Sequence, residues 1–335
     1  MDLTKPIDIT AVITAVAKHG DLLKSLDLLD ANETLQFATG MPGITNSITL
    51  GKTSNGSVSS MYNGVFLGSN AAGEVQPRTL TVYPVKIEQE DEPERYRRSF
   101  ITDVKGGLWP KEHPFEVWLV NNIIKIASNE LLMVLFVAKY TASQIRTNSN
   151  SDIKYAFDGW GSIIEAEKTA GNIAAAKGNL FTTAAFTAAN VGSELLKMWR
   201  NMPETFKRKN SELLVSLDIF DLYMDWYEAK YTFVAGVGES ELKPVFLRGT
   251  GGKCRICPVV GFPSGSQMVV LTTKENMVYG YDKESDMKTV KPFNSGNPYR
   301  ISFAGKYVFG TQFVSLDKSE FCVNNAPLTP VTGGE

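Results

Sequence analysis

The sequence has little histidine and little cysteine, and both shortages limit the chemistry that it could perform. Only two histidines occur among its 335 residues, His19 and His113. A Ser-His-Asp triad or a multi-histidine metal site therefore has almost no material. The three cysteines are too few, and odd in number, for a secreted domain held together by disulfides. The composition favours a reducing compartment and weakens most hydrolase and metalloenzyme hypotheses.

Neither sign of charge dominates, and long apolar runs are absent. The 34 basic and 36 acidic residues leave a formal net charge of −2, so the chain lacks the positive field with which nonspecific nucleic-acid binders neutralise phosphates. The N-terminus carries acidic residues instead of the basic region of a signal peptide. The longest apolar run, Leu131 to Ala138, is far shorter than the ~20 residues that span a bilayer. We therefore expect a soluble protein with no membrane partner.

The amounts of hydrophobic and charged residues are those of an ordinary folded protein. Hydrophobic residues make up 43% of the chain, aromatic residues 10% and charged residues 21%, which argues against long disorder or a coiled-coil rod. A length of 335 residues is about twice that of a usual single domain. The chain is expected to form two domains, or one body with large insertions.

Two segments near the front are expected to pack against another surface. Residues 1–40 carry two short apolar stripes at helical spacing, which we interpret as an arm packed on the body or on a neighbouring copy. Strands are predicted at Ser47–Leu50 and Thr79–Val85. The stretch between them is rich in Gly, Ser and Asn and exceeds the ~12 to 15 residues usual for a loop. We predict that it becomes ordered on another subunit; a plain flexible loop is the alternative.

Helical patterns dominate the middle of the chain. Apolar residues keep helical spacing over His113–Tyr140, and an interruption at Asn129 and Glu130 predicts a bend or a second helix. The polar residues Thr141–Asp152 make the best internal boundary. Shorter elements are predicted as a helix over Ser193–Asn201, a strand over Leu213–Leu217 and a helix capped by Asp218.

Strand patterns dominate the last third. The predicted hairpins are Gln267–Leu271 with Met277–Tyr281, and Tyr299–Phe303 with Tyr307–Val314, the second turned at Ala304 and Gly305. Proline and glycine are frequent from Asn324 onward, which predicts a loosely held tail.

One C-x-x-C motif, Cys254 to Cys257, is the strongest candidate for chemistry. Redox use requires the first cysteine near a helix N-terminus, where the dipole lowers its pKa, but Pro258 and two valines follow and favour a strand. A zinc site would need two further ligands. Two semi-buried cysteines are the favoured interpretation, and no catalytic, cofactor-binding or metal residue is assigned.

Three segments carry a resemblance to a known family. They are Arg78-Thr-Leu-Thr-Val with the charged stretch after it, Pro114-Phe-Glu-Val-Trp, and Leu271-Thr-Thr-Lys-Glu-Asn-Met-Val-Tyr-Gly-Tyr-Asp282. In these segments and in the order of its elements the sequence resembles the major capsid proteins of tailed bacteriophages with the Hong Kong 97-type fold. The resemblance runs along nearly the whole chain.

The resemblance implies an α+β fold divided into five parts. These are an N-terminal arm (1–40), an extended loop in the form of a β-hairpin (41–90), a peripheral domain with a long spine helix (91–150), an axial domain (151–284), and return strands with a C-terminal tail (285–335). The loop residues expected in assembly are Ile48, Leu50, Met61, Tyr62, Phe66, Arg78, Leu80 and Val82. The spine-helix residues are Phe115, Trp118, Leu119, Ile123 and Ile126.

The same resemblance implies a structural role and no enzyme activity. The chain would assemble with itself into pentamers and hexamers of an icosahedral head around double-stranded DNA, which it would contact weakly. Its other partners would be a separate scaffold, a portal and decoration proteins. It would reside in the virion after assembly in the host cytoplasm. The alternatives are an encapsulin-like compartment shell and a cytoplasmic redox enzyme that uses Cys254 and Cys257.

Overall fold

The computed structural model describes residues 34–53, 75–108, 115–146, 152–230, 246–283, 290–293 and 300–329. The strands are β1 (Thr39–Met41), β2 (Ser47–Thr53), β3 (Val75–Thr81), β4 (Tyr83–Asp91), β5 (Leu180–Phe181), β6 (Ser211–Val215), β7 (Cys254–Pro258), β8 (Val270–Thr272), β9 (Met277–Gly280), β10 (Val290–Phe293), β11 (Ile301–Phe313) and β12 (Phe321–Asn324). The α-helices are α1 (Arg97–Lys105), α2 (Phe115–Val134), α3 (Trp160–Thr169), α4 (Val191–Arg200), α5 (Glu204–Lys207) and α6 (Leu217–Lys230). Short 3₁₀ turns connect several of them.

Within the described part of the chain the strands form two five-stranded sheets and a two-stranded ribbon. The first sheet has the order β1-β9-β11-β10, with β4 also paired to β11. Its central strand β11 is 13 residues long; β4 and β10 pair antiparallel with its first part, and β9 pairs with its end. The second sheet has the order β5-β12-β8-β6-β7. The ribbon consists of β2 and β3.

Helix α2 supplies much of the larger hydrophobic core. Its residues Phe115, Leu119 and Ile123 are buried together with side chains of β4 and β11. The segment Val117–Val134 is long and apolar enough to cross a membrane by length and composition, but 56% of it is buried inside the fold. That burial is typical of a core helix in a folded domain.

A second core lies between the second sheet and two helices. Leu195 of α4 and Tyr223 of α6 are fully buried with strand residues such as Leu213. A Cβ atom at Gly192 would lie 2.2 Å from the ring of Trp226, so glycine lets α4 approach α6 closely.

The sequence identified several elements correctly. The strands predicted at Ser47–Leu50 and Thr79–Val85 are present, although the second is divided at Val82 between β3 and β4. The predicted helix over Ser193–Asn201 corresponds to α4, and the predicted strand over Leu213–Leu217 corresponds to β6. The Cys254 segment is a strand, β7, as its proline and valines indicated.

The end predicted for the long helix was wrong. Helix α2 runs without interruption through Asn129 and Glu130, which are exposed, and ends at Val134 instead of Tyr140. The carbonyl groups that follow Val134 accept hydrogen bonds from the start of α3 instead of from their own helix. The carbonyl of Leu135 accepts a hydrogen bond from the Trp160 amide at 3.0 Å. They thereby satisfy the first amides of α3, which a helix otherwise leaves without partners.

The predicted cap of α6 was also wrong. Asp218 accepts a hydrogen bond from the amide of Gly265 at 2.7 Å and does not cap the helix. The cap is Ser216, whose hydroxyl accepts a hydrogen bond from the amide of Ile219 at 3.3 Å. Serine in this position is typical of a helix start.

The first predicted hairpin does not exist, because β8 and β9 belong to different sheets. β8 pairs with β6 and β12, whereas β9 pairs with β1 and β11. The fully buried Asn276 holds the segment that leads from one sheet to the other. Its side chain donates to the Thr272 hydroxyl at 3.0 Å and accepts from the Ser315 amide at 2.8 Å.

The second predicted hairpin is a single strand. Ala304 and Gly305 do not form a turn but continue β11, where Ala304 lies opposite Lys291 on one side and Glu88 on the other. Backbone pairing on both sides outweighs the turn preference of a small residue and a glycine.

The prediction of a loosely held tail from Asn324 onward was wrong for the residues that the structure describes. Asn324 is fully buried in β12, and its side chain accepts a hydrogen bond from the Val269 amide at 2.9 Å. Lys168 donates to the carbonyl of Ala326 at 2.8 Å, and Leu328 is buried. The segment is therefore held to the body through Leu328.

Candidate functional site

The β2–β3 ribbon has two different faces. Its strands pair antiparallel, from Ser47 opposite Thr81 to Thr53 opposite Val75, so side chains alternate between the faces. The inner face carries Ile48, Leu50, Lys52, Gln76, Arg78 and Leu80. The outer face carries Ser47, Thr49, Gly51, Pro77, Thr79 and Thr81, all exposed except the half-buried Thr81. The ribbon thus presents small, mostly polar residues outward. Its other face contacts the body through Leu50, Lys52, Arg78 and Leu80.

The root of the ribbon is held by a small hydrophobic cluster. Leu50, Leu80 and Val82 are buried there against Ile44 and Val278 of the body. Burying a side chain of this size contributes about 1.5–3 kcal/mol. The start of the ribbon is therefore fixed by its own chain.

A glycine in β11 allows the ribbon root to approach. A Cβ atom at Gly310 would lie 2.1 Å from the carbonyl oxygen of Thr81. The clash would be with backbone on the ribbon side, which cannot rotate out of the way as a side chain can.

Arg78 ties the ribbon to α3 and β11. Its Nε donates to the carbonyl of Phe313 at 2.9 Å, and its Nη2 donates to Glu167 at 2.8 Å and to Gln312 at 2.9 Å. Gln312 in turn donates to the carbonyl of Thr79 at 2.9 Å. A planar guanidinium suits three acceptors arranged in this way.

Glu320 connects the ribbon to the second sheet. This residue precedes β12, and its side chain is only 6% exposed. Its Oε1 accepts from Lys52 of the ribbon at 2.9 Å and also from Lys209. Burial by itself raises the pKa of Glu320, but the hydrogen bonds from Lys209 and Lys52 outweigh it, and the net effect lowers the pKa.

The two outer edges of the ribbon differ. The amide of Val82 donates to the carbonyl of Asn46, and alternation along an antiparallel pair then points the amides and carbonyls of Thr49 and Thr79 away from the partner strand. The Thr79 carbonyl accepts a hydrogen bond from the side chain of Gln312. Neither strand of the ribbon has a second neighbouring strand within the described ranges, but β3 lies beside β11. The β2 edge is therefore the more open one.

The structure places the predicted assembly residues in different surroundings. Ile48 is 42% exposed, whereas Leu50, Leu80 and Val82 are buried within the chain and Arg78 is half-buried. Met61, Tyr62 and Phe66 lie outside the described residues. The assembly role of this set stays a prediction.

The predicted spine-helix residues lie on α2. Phe115, Trp118, Leu119 and Ile123 are buried in the larger core, and Ile126 is 46% exposed.

Sequence reasoning missed the partners of the ribbon. Glu167, Gly310, Gln312 and Glu320 lie far from it in the sequence and carry no motif. They are recognised only when the fold brings them to the ribbon.

The cysteines of the C-x-x-C motif face different cores. Cys254 is buried in the core beneath α4 and α6, and Cys257 in the larger core on the other side of the second sheet. Burial raises the pKa of Cys254 to about 12 and raises that of Cys257 further. A thiol of this kind is a poor nucleophile, so the redox hypothesis loses its support. Among the described residues no group of three or more His, Cys, Asp and Glu could hold a metal ion.

The thiols should be unreactive in the folded protein. We expect Ellman's reagent to modify none of Cys254, Cys257 and Cys322 under native conditions, because all three are buried and burial raises the pKa of each. All three should react in guanidinium chloride. Rapid reaction of Cys254 in the native state would contradict this assignment.

Comparisons with known proteins give a result only at the level of structure. No protein-family model matches the sequence, and no curated protein matches it either. A chain of the satellite phage P4 procapsid, in a structure that includes the size determination protein, is similar with a TM-score of 0.55 at 12% identity; the match covers 96% of this chain and 91% of that one.

Two further shells give similar results. A chain of the native GTA particle capsid has a TM-score of 0.53 at 11% identity, and the match covers 89% of this chain and 90% of that one. A chain of the cyanophage A-1(L) capsid has a TM-score of 0.51 at 12% identity, with coverages of 91% and 94%. The protein has the mixed helix and sheet fold of Hong Kong 97-type capsid proteins, as the family resemblance implied.

Proposed function

We propose that the protein is the major capsid protein of a tailed phage, which assembles with itself into the pentamers and hexamers of an icosahedral head around double-stranded DNA. The observation that carries the proposal is the shared fold, over most of the chain, with chains of three different particle shells. The ribbon supports it, because its fixed root and open β2 edge suit a strand that is offered to another molecule.

The proposal includes the division of the chain. The arm (1–40) and the extended loop (41–90) would make contacts between subunits, and the peripheral domain (91–150) and axial domain (151–284) would form the shell wall, with residues 285–335 returning to the peripheral domain. The smaller hydrophobic core supports the axial domain, because all of its buried residues except Cys322 lie between Phe186 and Leu271.

A shell protein needs complementary surfaces and no catalytic group. Many modest contacts repeated by symmetry give a durable particle. The net charge of −2 suits a wall that encloses DNA without gripping it. We propose that scaffold, portal and decoration proteins are separate partners, and that the chain resides in the virion after assembly in the host cytoplasm.

Electron microscopy of the purified chain tests the proposal. We expect closed particles of uniform diameter, formed by the chain alone or with a candidate scaffold protein. A chain that stays monomeric at every concentration, with and without that scaffold, would contradict the proposal. Double-stranded DNA inside native particles would support a phage head, whereas an enclosed enzyme and no DNA would identify a compartment shell of the encapsulin type.

A further inference from the structure

One buried carboxylate is shared by two lysines that come from different parts of the fold. Oε1 of Glu320 accepts from Lys52 on the ribbon and from Lys209 after α5, and Oε2 accepts from the hydroxyl of Thr273 at 3.4 Å. Lys209 and Thr273 belong to the body, whereas Lys52 joins Glu320 to the ribbon.

Because the carboxylate is shared, its contact with Lys52 can be broken at a small cost in free energy. A buried carboxylate that loses its only cation is left uncompensated, which is strongly unfavourable. When Lys52 leaves, Glu320 keeps both Lys209 and Thr273. The side chain of Lys52 is 36% exposed, so water can solvate its ammonium group as it departs.

The position of Lys52 decides what its release would move. It lies on the inner face of the ribbon, next along β2 after Leu50, which pairs with Arg78. The ribbon root is held by Arg78 and by the cluster around Leu80. Release of Lys52 would therefore free the outer end of the ribbon while its root stayed attached.

We propose that the Lys52–Glu320 ion pair is a releasable latch that positions the outer end of the ribbon on its own subunit, and that Lys209 makes release possible by keeping Glu320 neutralised. The inference rests on the proposed function in so far as the freed ribbon would contact a neighbouring copy. Glu320 and Lys52 are positioning residues in this scheme.

The latch predicts opposite effects on the ribbon for the loss of Lys52 and the loss of Lys209. Loss of Lys52 should free the outer end of the ribbon. Loss of Lys209 should hold it more firmly, because Lys52 becomes the only cation on a buried carboxylate and no longer meets the repulsion of a second ammonium group. If the lysines were only structural, both losses would loosen the region.

Spin-label distances in the unassembled subunit measure this directly. Labels are attached through Gln76→Cys on the ribbon and Thr205→Cys on α5, both exposed positions, while the native cysteines are buried. For Lys52→Met we expect the interlabel distance to shift to longer values and its distribution to broaden. For Lys209→Met we expect a narrower distribution than in the parent.

Lys86→Met is the matched control. Lys86 pairs with Glu88 on β4, with both side chains more than half exposed, and its loss should leave the interlabel distance unchanged. Thermal unfolding shows whether each variant is folded, and Lys52→Gln and Lys209→Gln replace any variant that is not.

Either of two results would overturn the latch: equal broadening in both lysine variants, or no change in either. Because the labels report on single subunits, these results stand even if the parent forms particles. Conversely, failure of the parent to assemble would overturn the proposed function and leave the distance measurements valid.

Discussion

Replacing Gly310 by alanine should abolish particle formation and lower the free energy of unfolding by about 1–3 kcal/mol, the usual cost of overpacking. The added Cβ atom would lie 2.1 Å from the carbonyl oxygen of Thr81, far inside van der Waals contact. Relief requires the ribbon root to move away from β11. Such a shift would also lengthen the contacts that Arg78 makes to Phe313 and Gln312.

Two measurements separate the local effect from general unfolding. Chemical denaturation gives the loss of stability, and electron microscopy gives the yield of closed particles. Lys306→Ala is the matched control, because Lys306 lies on the same strand with an exposed side chain, and it should change neither quantity. Normal particles from Gly310→Ala would show that the close approach of β11 to the ribbon is not needed.

The sequence predicted elements better than it predicted their partners. The two strands of the ribbon and the helix α4 follow from local patterns of β-branched or apolar residues. Such patterns depend only on residues that are close together in the sequence. Which sheet a strand joins depends on distant residues. β8 and β9 are separated by only a short turn, yet Asn276 directs them into different sheets through bonds to Thr272 and Ser315.

Tertiary contacts also override local turn and helix preferences. Leu135 and Phe136 continue the apolar pattern of α2, but their carbonyls accept hydrogen bonds from the amides of Trp160 and Ser162. Gly159 permits this approach, since a Cβ there would lie 2.5 Å from the Leu135 carbonyl oxygen. No pattern within the helix itself indicates such a contact.

The ribbon shows the same limit at the candidate site. Local strand patterns predicted its two strands, and the family resemblance placed Arg78 among the assembly residues. Its acceptors Glu167 and Gln312 are 89 and 234 residues away in the sequence. Only the fold shows that the residues at the root hold the ribbon to its own subunit.

Replacing Arg78 by methionine should destabilise the fold and prevent assembly. The side chains of Arg78 and Glu167 are only 14% and 19% exposed, so the substitution leaves a largely buried carboxylate without its cation. Breaking a buried pair from one side costs ~3–5 kcal/mol, and with this partial exposure we expect about 3 kcal/mol. The carbonyl of Phe313 also loses its donor. Denaturant unfolding measures the loss, and particle yield measures its consequence.

Two further variants show whether geometry or charge matters. Arg78→Lys keeps the positive charge but cannot reach Phe313, Glu167 and Gln312 together, so its particle yield should also fall, with a smaller loss of stability. Arg95→Met removes an arginine whose side chain is 71% exposed and whose contact to Asp91 is 3.5 Å; a surface pair of this kind contributes ~0–1 kcal/mol. If Arg78→Met proved no more harmful than Arg95→Met, the ribbon root would be held by its apolar cluster alone. The attachment of the ribbon to its own subunit would then depend on Leu50 and Leu80, and not on the charged network around Arg78.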